Sequence, residues 1–179
     1  MRVEVVFLIA LIIVAEINSF YVHYFAFGAN MNPDLLEKRT FSKAGSLTFE
    51  RAVLADYKLV FNTGLRAVGM AASVEPSKGF STHGLCYKLN INQFNVLLAS
   101  EGFPIGYKVE SVNVKPYGRE GRIAALTLRS GNGLKSDKPS ERYIKLLQGG
   151  ARENGLNDAY LTYLEGIVPT TSIISRIRS

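Results

Sequence analysis

The stretch Tyr24-Phe25-Ala26-Phe27-Gly28-Ala29-Asn30-Met31-Asn32-Pro33 decides how the rest of the chain is read. Apolar and aromatic residues as far as Phe27 predict a buried strand, and Gly28 alone among them tolerates positive φ or close approach of another group. The strand is therefore expected to end in a turn at Gly28. Asn32 then suits a helix cap, Pro33 the first helical position, and Asp34 the positive end of the helix dipole. A strand, a glycine turn and a capped helix start would leave several backbone N–H groups aimed at one spot, fit for a small anion such as a carboxylate. The plain alternative is an ordinary connection between a strand and a helix.

Working outward, Ala52 to Phe61 reads as a second strand from its β-branched and aromatic residues, with turn chemistry at Asn62-Thr63-Gly64. Met70 to Val74 reads as a third, closed by Pro76 and Gly79, and Gly84 to Leu89 as a fourth. Asn90 or Asn92 caps a helix carrying Phe94, Leu97 and Leu98 at helical spacing, and Gly102 and Pro104 stop it. Tyr107 to Val114 and Arg122 to Arg129 are two further strands. In the first, Val112 and Val114 belong to one face, Tyr107 and Val109 to the other. Asn132 to Pro139 is polar and turn-rich, a surface loop that could border a pocket. Ser140 then caps a helix to about Asn154 with Tyr143, Leu146, Leu147 and Ala151 on its apolar face and Gly155 as its stop. Asn157 opens a last helix ending near Gly166 and Pro169.

The 179 residues suit one domain with a sizeable core, and 47% hydrophobic against 20% charged residues is a globular balance rather than a disordered one. The formal charge of +6 is spread through the chain with no basic stripe, which argues against nucleic acid and leaves room for anionic small molecules. Arg2 followed by the apolar run Val5 to Ala15 has the form of a short targeting leader, too short to span a bilayer, although Glu4 interrupts its basic start. The expected organisation is a leader over residues 1–20, a domain over 21–168 and a tail over 169–179. Cys86 is the one cysteine, so an intrachain disulfide is impossible, and its strand-like setting predicts a buried structural thiol.

Several chemistries lack their residues. His23 and His83 are isolated, no Gly-x-Ser-x-Gly turn occurs, and neither a Walker nor a dinucleotide glycine pattern is present. What stands out is a carboxylate. Glu101 follows an apolar helix face and precedes Gly102-Phe103-Pro104, so the helix dipole and the neighbours Leu97, Leu98 and Phe103 disfavour its charge, the setting of a group that exchanges protons. A surface glutamate at a frayed helix end is the alternative.

Three segments together resemble the γ-glutamylcyclotransferases: Tyr24 to Asn30; Leu98-Ala99-Ser100-Glu101-Gly102 with Tyr107 after it; and Tyr143 with Gly150-Ala151-Arg152-Glu153-Asn154-Gly155-Leu156. The resemblance spans about Tyr24 to Ile167 and implies an α+β fold, a compact mixed β-barrel with flanking helices. It implies that Tyr24, Phe25, Ala26, Phe27, Gly28 and Ala29 lie at the substrate, largely through backbone groups, with Glu101 as the catalytic acid and base and Tyr143 and Tyr107 as pocket aromatics. Two residues depart from the family's Tyr-Gly-Ser-Asn turn: Phe27 stands for its tyrosine and Ala29 for its serine. Leu128, beside Thr127, stands where a further tyrosine is expected.

The implied activity is cyclisation of a γ-glutamyl amino acid to 5-oxoproline, with release of the amino acid and without metal or cofactor. Two alternatives stand beside it. One is a non-catalytic member of the fold that binds a γ-glutamyl ligand or a protein; the other is a relative acting on γ-glutamylamines or glutathione. The implied location is cytoplasmic, or the secretory pathway or an organelle if the leader functions, with membrane contact only through that leader.

Overall fold

The computed structural model describes residues 20–64, 69–131 and 134–170. All but the last residue of the expected leader and nearly all of the expected tail lie outside the described residues. Within them, five strands form a closed barrel in the order β1-β3-β2-β4-β5. The strands are β1 (Tyr21–Ala26), β2 (Phe49–Thr63), β3 (Ala71–Asn90), β4 (Tyr107–Pro116) and β5 (Ile123–Ser130). All neighbouring pairs run antiparallel except β1 and β5, which close the barrel in parallel at Tyr24 and Leu126. Four helices flank it: α1 (Pro33–Arg39), α2 (Ile91–Ser100), α3 (Glu141–Glu153) and α4 (Asp158–Glu165). None of the described helices is long and apolar enough to cross a membrane.

The strands expected over Met70–Val74 and Gly84–Leu89 are one strand, β3, which continues through Pro76 and Gly79. Its pairing with β2 absorbs the interruption as an irregularity. Asp56 stands alone between Ala55↔Ser81 and Tyr57↔Pro76, against Ser77 to Phe80 on the other side. Asp56 takes φ +61° and its Oδ1 accepts the Gly79 N–H at 2.9 Å. Breaker residues thus mark a bulge, which bends a strand without ending it.

Helix starts follow the capping chemistry of the sequence. Asn32 Oδ1 accepts from Leu35 N with Pro33 at N1. Asn90 and Gln93 form a reciprocal capping box on α2, and Ser140 and Asn157 cap α3 and α4. On α3 the buried residues are Ile144, Leu147, Gly150 and Ala151. Ile144 therefore joins the face expected from Tyr143, Leu146, Leu147 and Ala151, with Leu146 only half-buried. On β4, Val112 and Val114 are buried, whereas Tyr107 is half-buried and Val109 exposed on the opposite register.

The polar loop before α3 runs along the end of the barrel: Asp137 N donates to Phe61 O at 2.8 Å and Met70 N to Lys138 O at 3.1 Å. Cys86 is buried in the core, where desolvation pushes its thiol up to about 12, the state of an inert structural thiol.

One junction positions the site. The chain leaves β1 through Gly28 into a 3-10 turn, Ala29–Met31, which leads into α1. Gly150 of α3 lies against that turn so closely that a Cβ there would sit 3.1 Å from the Met31 backbone. Asn154 Nδ2 donates to Met31 O at 3.0 Å in the same contact. The Gly150-to-Leu156 segment is therefore the part of the sequence that clamps helix α3 onto the turn after β1.

Candidate active site

A cavity of about 110 Å³ opens at this junction. Its wall takes Tyr24, Phe27, Gly28 and Ala29 from β1 and the turn, Tyr107 from β4, Glu101 from the end of α2 and Tyr143 from α3. Residues as far apart in sequence as Tyr24 and Tyr143 thus meet in one place. Phe25 and Ala26 are absent from the wall. Both are fully buried strand residues paired with Cys86 and Leu85 of β3, and Phe25 O is taken by the Thr127 hydroxyl at 2.8 Å. Leu128 lines the cavity as an apolar patch.

Of the two reasons expected for glycine at position 28, close approach holds and positive φ does not. Its φ is −114°, so no left-handed conformation is required. The requirement is space, since a Cβ at Gly28 would lie 3.1 Å from the Tyr143 hydroxyl. That hydroxyl accepts the Ala72 N–H at 3.0 Å, joining α3 to β3 beside the turn. The Ala72 group is the donor, so the hydrogen of Tyr143 is left for the cavity.

The turn also spends more of its N–H groups internally than the sequence suggests. Met31 N donates to Gly28 O and Asn32 N to Ala29 O. The N–H groups of Gly28 and Asn30 are left without a protein acceptor among the described residues.

Glu101 caps the C-terminus of α2, as its sequence setting predicts, and its side chain keeps 15% exposure. Phe103, expected to shield it, is 42% exposed. The decisive neighbours lie elsewhere. Arg39, at the last turn of α1, pairs with Glu101 Oε1 through Nη1. The same Nη1 donates to Asn30 Oδ1 at 2.7 Å, and Asn30 Nδ2 donates to Glu101 Oε1 at 3.0 Å. Asn30 Nδ2 also reaches the Tyr24 hydroxyl at 2.9 Å. The ion pair offsets the unfavourable position of a carboxylate at a helix C-terminus, and the amide fixes which way the carboxylate faces.

Arg39 and Asn30 complete the wall, yet sequence reasoning did not select them. Asn30 belongs to the opening stretch and its amide was a legible candidate. Arg39 is one cation among 21 lysines and arginines, and only the packing of α1 against α2 distinguishes it.

Three phenols surround the carboxylate. Burial, chiefly, raises Tyr24 and Tyr107 far above the usual phenol range and pushes Tyr143 up to about 12, so all three are neutral at pH 7. Tyr107 donates to Ala72 O at 3.1 Å, which leaves its oxygen as an acceptor toward the cavity. The site thus offers one carboxylate, one guanidinium and neutral phenols of both donor and acceptor kind. Among the described residues no three His, Cys, Asp or Glu side chains are grouped to hold a metal ion. His23 is exposed on β1, and His83 stacks on Tyr160 at 4.7 Å outside the cavity wall.

No family model matches the chain. The human gamma-glutamylcyclotransferase is 33% identical over 151 residues, covering 82% of this chain and 78% of that protein. The chain belongs to the γ-glutamylcyclotransferase family. The mouse gamma-glutamylcyclotransferase is 31% identical over the same shares of both chains. A solved gamma-glutamyl cyclotransferase structure superposes with a TM-score of 0.75 at 28% identity, covering 88% of this chain and 98% of that one. A yeast gamma-glutamyl cyclotransferase specific to glutathione shares the fold at a TM-score of 0.56 and 11% identity, over 80% of this chain and 93% of that one. The relatives are enzymes, and this chain is an enzyme of their family with the family's β-barrel.

Proposed function

We propose that the protein is a γ-glutamylcyclotransferase that converts a γ-glutamyl amino acid into 5-oxoproline and the free amino acid, with Glu101 as general base and acid. The observation that carries this reading is the placement of Glu101. It is the one carboxylate in the cavity wall, oriented by Asn30 and Arg39 and facing three neutral phenols. A pocket that only bound ligand would gain nothing from a proton acceptor held so firmly.

The reaction joins the α-nitrogen of the glutamyl residue to its own γ-carbonyl carbon and breaks the bond from that carbon to the leaving nitrogen. An ammonium ion has no lone pair and cannot attack. Glu101 takes a proton from the α-ammonium, the amine closes the five-membered ring, and the protons lost by the α-nitrogen end on the departing nitrogen. Atoms balance without water, metal or redox partner.

The turn supplies the folding of the substrate. The N–H groups of Gly28 and Asn30, together with the Arg39 guanidinium, are the donors available for the α-carboxylate, and the Tyr107 oxygen is an acceptor for the ammonium. The Tyr143 hydroxyl hydrogen is a donor for the carbonyl oxygen as charge builds on it. Holding amine and carbonyl together removes most of the entropic cost of ring closure. Phe27 and Ala29 keep the backbone of the turn and withdraw hydroxyl contacts, so they bear on substrate preference more than on the chemistry. Release of 5-oxoproline from a panel of γ-glutamyl amino acids, γ-glutamylamines and glutathione, with Glu101→Gln beside it, tests the reading and ranks the substrate classes.

A further inference from the structure

The cavity of about 110 Å³ is read as holding the glutamyl head group, and the departing amine then needs a neighbouring surface. Beside the cavity, and sharing Tyr143 with it, a groove of about 700 Å³ runs between α1 and α3. Its floor is apolar, from the half-buried Leu35 and Leu146, and its rim is basic: Lys38 on α1, Arg142 and Lys145 on α3, against Asp34 as the one acid in the lining. Lys145 is offset by Glu141 at 2.6 Å. Lys38 and Arg142 make no ion pair among the described residues. Two uncompensated cations on α1 and α3 flank a groove that shares Tyr143 with the wall of a site read as cleaving an amide.

We propose that this groove is the leaving-group subsite, with Arg142 and Lys38 reading a free carboxylate on the departing amine. The proposal rests on the cyclotransferase reading for its chemistry. The occupant is an amine that bears a carboxylate and an apolar portion: the carboxylate meets Arg142 and Lys38, and the apolar portion covers Leu35 and Leu146. Arg142, with a planar fork of donors, matches a carboxylate in two bonds, while Lys38 contributes a point charge. Neither residue touches the reacting atoms, so both act on substrate choice.

The test compares γ-glutamyl-leucine with γ-glutamyl-leucinamide, which differ only in the leaving-group charge. Binding of each to the Glu101→Gln protein is measured by calorimetry, and kcat/KM of each with unaltered Glu101. A charge-assisted contact predicts preference for the acid of roughly tenfold or more. The preference shrinks as salt is added, and it falls toward one in the Lys38→Ala, Arg142→Ala double variant. Both positions are exposed, so the double variant should melt with the parent protein. Equal affinity for acid and amide, or a preference that survives the double substitution in folded protein, overturns the subsite. If neither compound yields 5-oxoproline while the binding preference and its loss in the double variant persist, the cyclotransferase reading fails and the carboxylate site stands.

Discussion

Arg39 and Glu101, which lie 62 residues apart in sequence, form an ion pair at the wall of the cavity, with Asn30 hydrogen-bonded to both. The pair joins the C-terminal ends of two helices, α1 and α2. Without it, a carboxylate at the end of α2 would face the negative pole of its own helix and be free to swing into solvent. Glu101 is thus delivered by two elements at once, and the turn residue Asn30 sets its direction.

On this account Arg39 both positions Glu101 and is a donor for the substrate's α-carboxylate. Arg39→Gln should lower kcat/KM on the order of 10²-fold, the scale on which misplacement of a reacting group by about an ångström acts. Its side chain is 29% exposed, so thermal melting should change little. Arg39→Lys, which keeps the charge but loses the planar guanidinium whose Nη1 serves both Asn30 and Glu101, should recover only part of the rate. Unchanged steady-state kinetics in Arg39→Gln would assign the pair to the surface.

Gly28 tests the geometry of the turn. Any Cβ there meets the Tyr143 hydroxyl at 3.1 Å, and the methyls of valine add to the collision. Gly28→Val should displace Tyr143 from Ala72, abolish activity and cost about 1–3 kcal/mol in a denaturant titration, as overpacking does. Gly28→Ala, asking only a few tenths of an ångström, should be intermediate. Full activity in the valine variant would show that the Tyr143 contact to the turn is dispensable.

The clamp between α3 and the turn gives a further test. Asn154→Ala removes a bond to Met31 O at 3.0 Å and another to Gly150 O at 2.7 Å, and should cost about 1–2 kcal/mol by denaturant unfolding. Because the same helix carries Tyr143, activity should fall below what the stability loss explains. Gly150→Leu, which drives a side chain into Met31, should be worse on both measures. Activity retained in proportion to the folded fraction would separate the clamp from the site.

The core makes stability fall in alkali. The thiol of Cys86 rises from its ordinary 9 to about 12 and Tyr143 from 10 to about 12, chiefly by desolvation. A neutral acid whose folded value is raised adds stability that is fully present below the unfolded value and is lost as pH climbs through the folded one. Melting temperature should therefore hold up to about pH 9 and decline between 9 and 12, with a shallower decline in Cys86→Ala. A flat profile in that range would contradict the burial of both groups.

Much of this fold was legible because its signals are local. Asn32 with Pro33, Asn90 with Gln93, Ser140 and Asn157 each mark a helix start by chemistry that acts within one turn, and all four helices begin there. Pro76 and Gly79 misled because the same residues end a strand or bulge it, and the choice is made by β2 across the sheet. At Gly28 one of the two expected causes holds, close approach of another group, and the other, positive φ, does not. Positive φ is a property of one residue, whereas the observed constraint comes from Tyr143, 115 residues away. Arg39 was missed for that same reason, since its partner is set by tertiary packing. The family resemblance implies Phe25 and Ala26 at the substrate, but strand pairing and the Thr127 hydroxyl occupy their backbone groups.

The measurement that bears most directly on the central claim is 5-oxoproline release by the purified protein from γ-glutamyl amino acids, beside Glu101→Gln. Loss of a general base and acid predicts a drop of at least about 10²-fold in kcat for the variant, with its melting temperature within a few degrees of the parent. Release by both proteins at similar rates would remove Glu101 from the chemistry. No release by either, with both folded, would contradict the cyclotransferase assignment itself.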